Sequence, residues 1–128
     1  MLDFSKLNTR AAADEGAFLH LRHPVTNAFL YTEKGDAVGC MVRGTEGATV
    51  QKMVADLMKR PKLDDVQRGL ALVSSLVISF VNVQYDGRAL TDSQADKELF
   101  FGLSESFVEQ VLEFAKDRAN FFGKRSAA

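Results

Sequence analysis

The chain contains few of the residues that stabilise small proteins through covalent or metal bonds. Its 128 residues include one cysteine, two histidines, two prolines and no tryptophan. The single cysteine, Cys40, excludes an intramolecular disulfide, as is usual in a reducing compartment. A chain of this length buries about two thirds of its unfolded surface. We therefore expect residues 1–128 to fold as one domain without a disulfide or a metal.

Long hydrophobic runs are also missing. The most apolar stretch, residues 70–83, contains three serines and one asparagine. A membrane-spanning helix needs about 20 consecutive, predominantly apolar residues. Residues 1–4 show no basic region followed by an apolar core, so no signal peptide is expected. The sequence thus predicts a cytoplasmic protein without a membrane partner.

An excess of charge of either sign is absent as well. Lysine and arginine number 16, aspartate and glutamate number 17, and the net charge is −1. Such a balance gives no general electrostatic attraction to nucleic acid or to anionic lipid. We therefore expect no nucleic-acid partner.

The first third of the sequence predicts a small antiparallel sheet. Residues 1–15 are polar and rich in alanine, and we expect them to form a flexible arm. Short apolar segments at residues 17–21 and 28–32 flank a group of turn-forming residues and predict a β-hairpin. Residues 37–43 predict a third strand, so the β region covers residues 16–44.

The remainder, residues 48–123, predicts about four helices because apolar residues recur there every three or four positions. One helix is expected over residues 64–84, where an Asp-x-x-Gln capping box precedes an apolar run. A shorter helix is expected to begin at Thr91, which forms a capping-box pattern with Gln94, and to end near residue 101. The last opens at Ser106 and is closed by Gly123 as a C-terminal cap. A sheet followed by helices is an α+β fold.

No motif in the sequence indicates catalysis or metal binding. His20 and His23 have no aspartate, glutamate or cysteine at a ligand spacing, and Cys40 has no local base. We expect Cys40 to fill the core, as free cysteines usually do. A small enzyme or ligand-binding domain that uses the sheet face near these three residues remains an alternative. We expect no metal and no cofactor.

The last predicted helix carries a stripe of apolar side chains. At 100° per residue, Phe107, Val111, Phe114 and Phe121 fall on one face. Arg118 falls within about 20° of the centre of that stripe. A guanidinium in such a place must reach solvent or pair with a carboxylate.

Phenylalanine is concentrated in the same region, since six of the ten phenylalanines follow residue 99. A core of this size has little room for all of them. Exposed aromatic side chains beside charged ones are typical of an assembly surface, so we expect oligomerisation or partner binding. The candidate interface residues are Phe100, Phe101, Phe114, Arg118, Phe121 and Phe122.

Several segments, taken in order along the chain, resemble one protein family. The segments His-Pro-Val-Thr at residues 23–26 and Asp-Arg-Ala-Asn-Phe at residues 117–121 carry most of the resemblance. Glu-Gly-Ala at residues 15–17 and the segments 83–87 and 90–101 extend it over most of the chain. In these features the chain resembles the tail assembly chaperones of long-tailed, lambda-like bacteriophages.

The resemblance implies a non-enzymatic role. Such proteins bind the aggregation-prone tape-measure protein, help to recruit tail-tube protein around it and tend to form homo-oligomers. They act in the cytoplasm of the bacterial host and are absent from the mature virion. Many are also made as a longer product by a −1 ribosomal frameshift. A structural tail component retained in the virion is a further alternative.

Overall fold

The fold is built on a three-stranded antiparallel sheet, one face of which packs against helices. The computed structural model describes residues 1–122. The α+β class predicted from the sequence is confirmed. In chain order the elements are α1 (Thr9–Glu15), β1 (Ala17–His20), β2 (Gly39–Val42), α2 (Ala48–Met58), α3 (Asp65–Leu76), β3 (Val77–Val81), β4 (Gln84–Tyr85), β5 (Arg88–Ala89), α4 (Gln94–Leu103) and α5 (Glu105–Lys116).

The sheet has the order β1–β2–β3, so β1 lies at one edge. Leu19 lies opposite Cys40, and Cys40 lies opposite Phe80 on the other side. Because side chains alternate between faces, these three point towards the helices. The predicted second hairpin strand, residues 28–32, forms only the isolated bridges Arg22↔Phe29 and Tyr31↔Ala37.

The third strand of the sheet comes from a segment for which a helix was predicted. Helix α3 ends at Leu76, and β3 follows directly and pairs with β2. The predicted continuation of this helix to residue 84 is therefore wrong. Val77, Ile78 and Val81 are β-branched, and such side chains favour an extended backbone. The predicted capping box at the start of α3, formed by Asp64 and Gln67, is confirmed.

The N-terminal residues are ordered, contrary to the predicted flexible arm. Residues 4–7 form a 3₁₀ turn, and α1 follows with Asn8 as its N-cap. Ala13 is buried, and its carbonyl accepts a hydrogen bond from the N–H of Gly44 at 2.9 Å. A Cβ at Gly44 would lie 2.6 Å from the Cβ of Ala13, so the glycine permits this close approach. Small side chains on both segments thus hold α1 against the core.

The N-caps of α4 and α5 each lie two residues from the predicted positions. Ser93 caps α4 and Ser104 caps α5, where Thr91 and Ser106 were expected. The helix predicted to run from Ser106 to Gly123 ends earlier, at Lys116, and a 3₁₀ turn over Arg118–Asn120 follows, so the predicted helix is too long. The predicted cap Gly123 lies outside the described residues.

A buried carboxylate joins the β4–β5 hairpin to α4. Asp96 is only 5% exposed and receives two hydrogen bonds from the Arg88 guanidinium, at 2.8 and 3.0 Å. The N–H and hydroxyl of Thr91 donate to the same carboxylate. The Arg88 guanidinium, followed by the two Thr91 donors, holds the pKa of Asp96 well below its usual range.

The hydrophobic core lies between the sheet and helices α2–α5. No helix within residues 1–122 is both long and apolar enough to span a membrane. The largest fully buried side chain of the core is Phe100. The other buried members are Leu19, Leu21, Cys40, Val42, Val50, Val73, Leu76, Val77, Leu90, Phe101, Val111 and Ala115.

Candidate interaction groove

A groove of about 620 Å³ runs between the edge strand β1 and helix α5. We call it the edge groove. The connection after β1 and the turn after α5 also contribute to its lining. Its lining consists of Phe18, Leu19, His20, Arg22, Asn27 and Phe29 from the sheet side, and Ser106, Glu109, Gln110, Glu113, Phe114 and Asn120 from the helix side.

The backbone of β1 is open towards this groove. The Leu21 N–H donates to the Val38 carbonyl at 3.0 Å, which continues the ladder that pairs Leu19 with Cys40. In an antiparallel ladder the peptide groups of successive residues point to opposite edges. Those of Phe18 and His20 therefore point away from β2. No other residue among 1–122 hydrogen-bonds these groups.

The next residue along the same edge, Arg22, is already paired. Its N–H donates to Oε1 of Gln110 at 2.8 Å, and its carbonyl accepts from Nε2 of Gln110 at 3.0 Å. The glutamine amide thus occupies the edge as a neighbouring strand would. It also fixes α5 at a set distance from the end of β1. Phe18 and His20 remain as the open part of the edge.

Aromatic side chains cover the outer face of the sheet beside this open edge. The His20 ring stacks on Phe29 at 4.6 Å between centroids and meets Tyr31 edge-on at 4.8 Å. Phe18 is 37%, Phe29 46% and Tyr31 59% exposed. Nε2 of His20 donates to the Leu30 carbonyl at 2.7 Å, which fixes the ring in place. We call Phe18, His20, Phe29 and Tyr31 the aromatic patch.

The helix side of the groove is acidic. Glu109 and Glu113 are exposed and lie one turn apart on α5. Neither takes part in an ion pair with any residue of the described part of the chain. Among the residues that the structure describes, the one cation in the lining is Arg22, whose guanidinium carbon lies 4.6 Å above the centre of the Phe29 ring.

Three of the six predicted interface residues are core residues. Phe100 is 1%, Phe101 6% and Phe121 3% exposed, so their assignment to a surface is wrong for the folded chain. Phe100 contacts the rings of Phe80, Phe101 and Phe107. Phe80 reaches this cluster of rings from strand β3.

The other three candidates are accessible to different degrees. Phe114 is half-buried, packs edge-on against Phe121 and lines the edge groove. Phe122 is 43% exposed. Arg118 follows α5 and does not lie on its apolar stripe. Its Nε lies 3.2 Å from a carboxylate oxygen of Glu46, and its side chain is 73% exposed. The guanidinium therefore reaches solvent and also pairs with a carboxylate, which are the two outcomes expected from the sequence.

The segment of residues 117–121 forms a compact turn beside the groove. The Asp117 carboxylate accepts from the Ala119 N–H at 3.0 Å, and the Asn120 amide donates to the Phe114 carbonyl at 2.9 Å. Hydrogen bonds from Thr9 and then from Arg118 lower the pKa of Glu46. Arg118 thereby ties this turn to the segment before α2.

The structure does not bring His20, His23 and Cys40 together. Cys40 is 0% exposed on the helix-facing side of the sheet, and burial raises the pKa of its thiol to about 12. His20 lies on the opposite face. Nδ1 of His23 accepts hydrogen bonds from the N–H groups of Val25 and Thr26 and so shapes a turn. Residues 1–122 hold no group of three His, Cys, Asp or Glu side chains that could bind a metal ion.

Of the groove residues outside the C-terminal segment, the sequence singled out only His20, as part of the alternative site on the sheet face. Glu109 and Glu113 form part of an acidic ridge that is visible at a spacing of four residues. Phe18 and Phe29 look like ordinary strand residues in the sequence, because nothing there shows which face of the sheet is covered. Comparison with known protein families, with curated proteins and with solved structures finds no match to this chain.

Proposed function

We propose that this chain is a tail assembly chaperone of a long-tailed bacteriophage. It is a non-enzymatic protein that binds the tape-measure protein in the cytoplasm of the bacterial host and promotes assembly of the tail tube around it. It leaves before the virion is complete. The observation that carries this proposal is the open edge of β1 beside exposed aromatic side chains, because together these features suit a protein partner.

The two segments that carry the family resemblance support the proposal by their positions. The His-Pro-Val-Thr segment, residues 23–26, forms the turn that precedes Asn27. The Asp-Arg-Ala-Asn-Phe segment, residues 117–121, contains Asn120. Asn27 and Asn120 both line the edge groove. The second segment and the residue that directly follows the first therefore lie on one surface, although they are distant in the sequence.

A second surface supports the expected homo-oligomer. A groove of about 400 Å³ between α2 and α3 is lined mainly by apolar side chains, among them Val54, Met58 and Leu72. Met58, the last residue of α2, is 81% exposed, and Val66, in the first turn of α3, is 79% exposed. Exposed apolar groups of this kind favour self-association.

The experiment is co-expression of this chain with the tape-measure protein. The proposal predicts a long, helix-rich reading frame directly downstream of its gene, and the product of that frame is the partner to use. With the chaperone present, the tape-measure protein becomes soluble and the two co-purify. An insoluble tape-measure protein, together with a chain that sediments as a strict monomer, would contradict the proposal.

Mass spectrometry of purified virions separates this proposal from a structural tail component. The chaperone is absent from finished particles, whereas a structural component is present in stoichiometric amounts.

The alternative of an enzyme on the sheet face has no accessible thiol to use, because Cys40 is fully buried.

A further inference from the structure

The open edge of β1 determines the conformation of its partner. The outward peptide groups of Phe18 and His20 present N–H and C=O groups along one line of the groove. An extended segment supplies complementary groups at the same spacing, whereas a helix satisfies its own. The occupant of the groove is therefore an added strand.

An added strand places alternate side chains on opposite faces. On the outer face its side chains meet the aromatic patch, of which Phe18 and His20 belong to β1 itself. On the inner face they meet α5, where Phe114 and the two glutamates line the groove. One face of the added strand thus meets aromatic side chains, and the other meets a partly acidic surface.

The charges on the inner face favour a cationic partner. Glu109 and Glu113 are four residues apart, which corresponds to about 6 Å along a helix. Alternate residues of a strand are about 6.6 to 6.8 Å apart. Two basic side chains on the same face of an added strand therefore match the two carboxylates in spacing as well as in sign.

We infer that the edge groove binds an extended segment with alternating basic and apolar side chains, which joins the sheet as a fourth strand on β1. This inference rests on the proposed function and names the kind of tape-measure segment that is bound. The basic side chains lie against Glu109 and Glu113, and the apolar side chains pack on the aromatic patch.

The first test is a titration with a synthetic peptide of about ten residues that alternates lysine with valine or phenylalanine. We expect binding that weakens as salt rises from about 50 to 500 mM, because the glutamates are exposed. A peptide with glutamate in place of every lysine serves as the matched control and binds at least about tenfold more weakly. Equal binding of the two peptides would overturn the inference.

N-methylation of the peptide tests strand pairing separately from charge. Methyl groups on one set of alternate amides face β1 and abolish binding, whereas methyl groups on the other set face solvent and leave the affinity within about twofold. Equal effects of the two sets would show that no strand is added, and the inference would fail.

Variants of the protein locate the charge effect. The double substitution Glu109→Gln and Glu113→Gln raises the Kd for the lysine peptide about tenfold. The control is Glu33→Gln with Glu98→Gln, which removes the same charge from exposed positions outside the groove lining and leaves the Kd within about twofold. Circular dichroism confirms that each variant is folded. An equal loss in both double variants would contradict a charge effect at the groove.

Two experimental results would assign the groove to a different occupant and overturn the inference. Sedimentation that detects a dimer lost on addition of the lysine peptide would assign the edge to a second copy of the chain. Binding only after removal of residues 123–128, which include Lys124 and Arg125, would assign it to the chain's own C-terminal segment. If the tape-measure protein co-purifies but the lysine peptide does not bind, the proposed function stands and this inference fails.

Discussion

The side-chain amide of Gln110 forms two hydrogen bonds with the backbone of Arg22, one through each of its polar atoms. These residues are 88 positions apart in the sequence. The pair joins the end of β1 to the middle of α5 and sets the width of the edge groove. It also leaves Phe18 and His20 as the open part of the edge.

Substitution Gln110→Ala removes both bonds to Arg22, together with a hydrogen bond from Nε2 to the Ser106 hydroxyl at 3.0 Å. We expect the free energy of unfolding to fall by about 1 to 2 kcal/mol, measured by urea denaturation. Amide exchange at Arg22 accelerates in the same variant. The matched control is Gln94→Ala, whose side chain bonds only to the exposed Glu98 among residues 1–122. It leaves the stability within about 0.5 kcal/mol. An equal loss in both variants would show that Gln110 does not fix the groove.

Phe100 and Phe122 test the division between core and surface. Phe100→Ala leaves a cavity among three neighbouring rings, and we expect it to cost about 3 to 5 kcal/mol of stability. Phe122→Ala changes an exposed side chain and costs less than about 0.5 kcal/mol. Thermal or urea unfolding of the two variants is the measurement. Similar losses at both positions would contradict the burial of Phe100.

The buried carboxylate of Asp96 predicts a dependence of stability on pH. Its pKa is lowered by folding, so its stabilising effect is complete above the unfolded pKa of about 3.9 and is lost as the pH falls towards the folded pKa. We expect Asp96→Asn to lower the melting temperature by a constant amount between about pH 7 and pH 5. Below about pH 4 the difference from the unaltered protein narrows. A difference that stays constant down to about pH 3 would contradict this role.

The thiol of Cys40 reports on global unfolding. It is fully buried and its pKa is raised to about 12, so the folded protein presents almost no thiolate at neutral pH. We expect a thiol reagent to leave the native protein unmodified and to react at a rate that rises with the unfolded fraction in urea. Rapid reaction of the folded protein would instead favour the alternative of an enzyme with an active cysteine.

The sequence predicted the fold class because short strand-like segments in residues 16–44 precede a region where apolar residues recur every three or four positions. It did not predict β3, because the apolar run from residue 70 to residue 83 contains no turn residue where α3 gives way to the strand. It also did not predict α1, whose alanines form a helix that packs only because Gly44 permits close contact. Both errors concern contacts between segments that are distant in the sequence.

The candidate site was predicted only in part, for the same reason. Phe114 lies in the groove as an accessible residue, but Phe100, Phe101 and Phe121 fill the core. Periodicity identified the stripe on the last helix as far as Phe114, but Phe121 and Arg118 lie beyond the end of that helix at Lys116. It could not show that the other side of that helix would face the open edge of a strand almost 90 residues earlier.

The most direct test of the central claim, that a partner chain pairs with β1, is amide hydrogen exchange of this protein alone and in complex with the tape-measure protein. We predict that the amides of Phe18 and His20 exchange rapidly in the free protein and become protected in the complex. Unchanged exchange at these two amides, with protection gained only in the groove between α2 and α3, would contradict the claim.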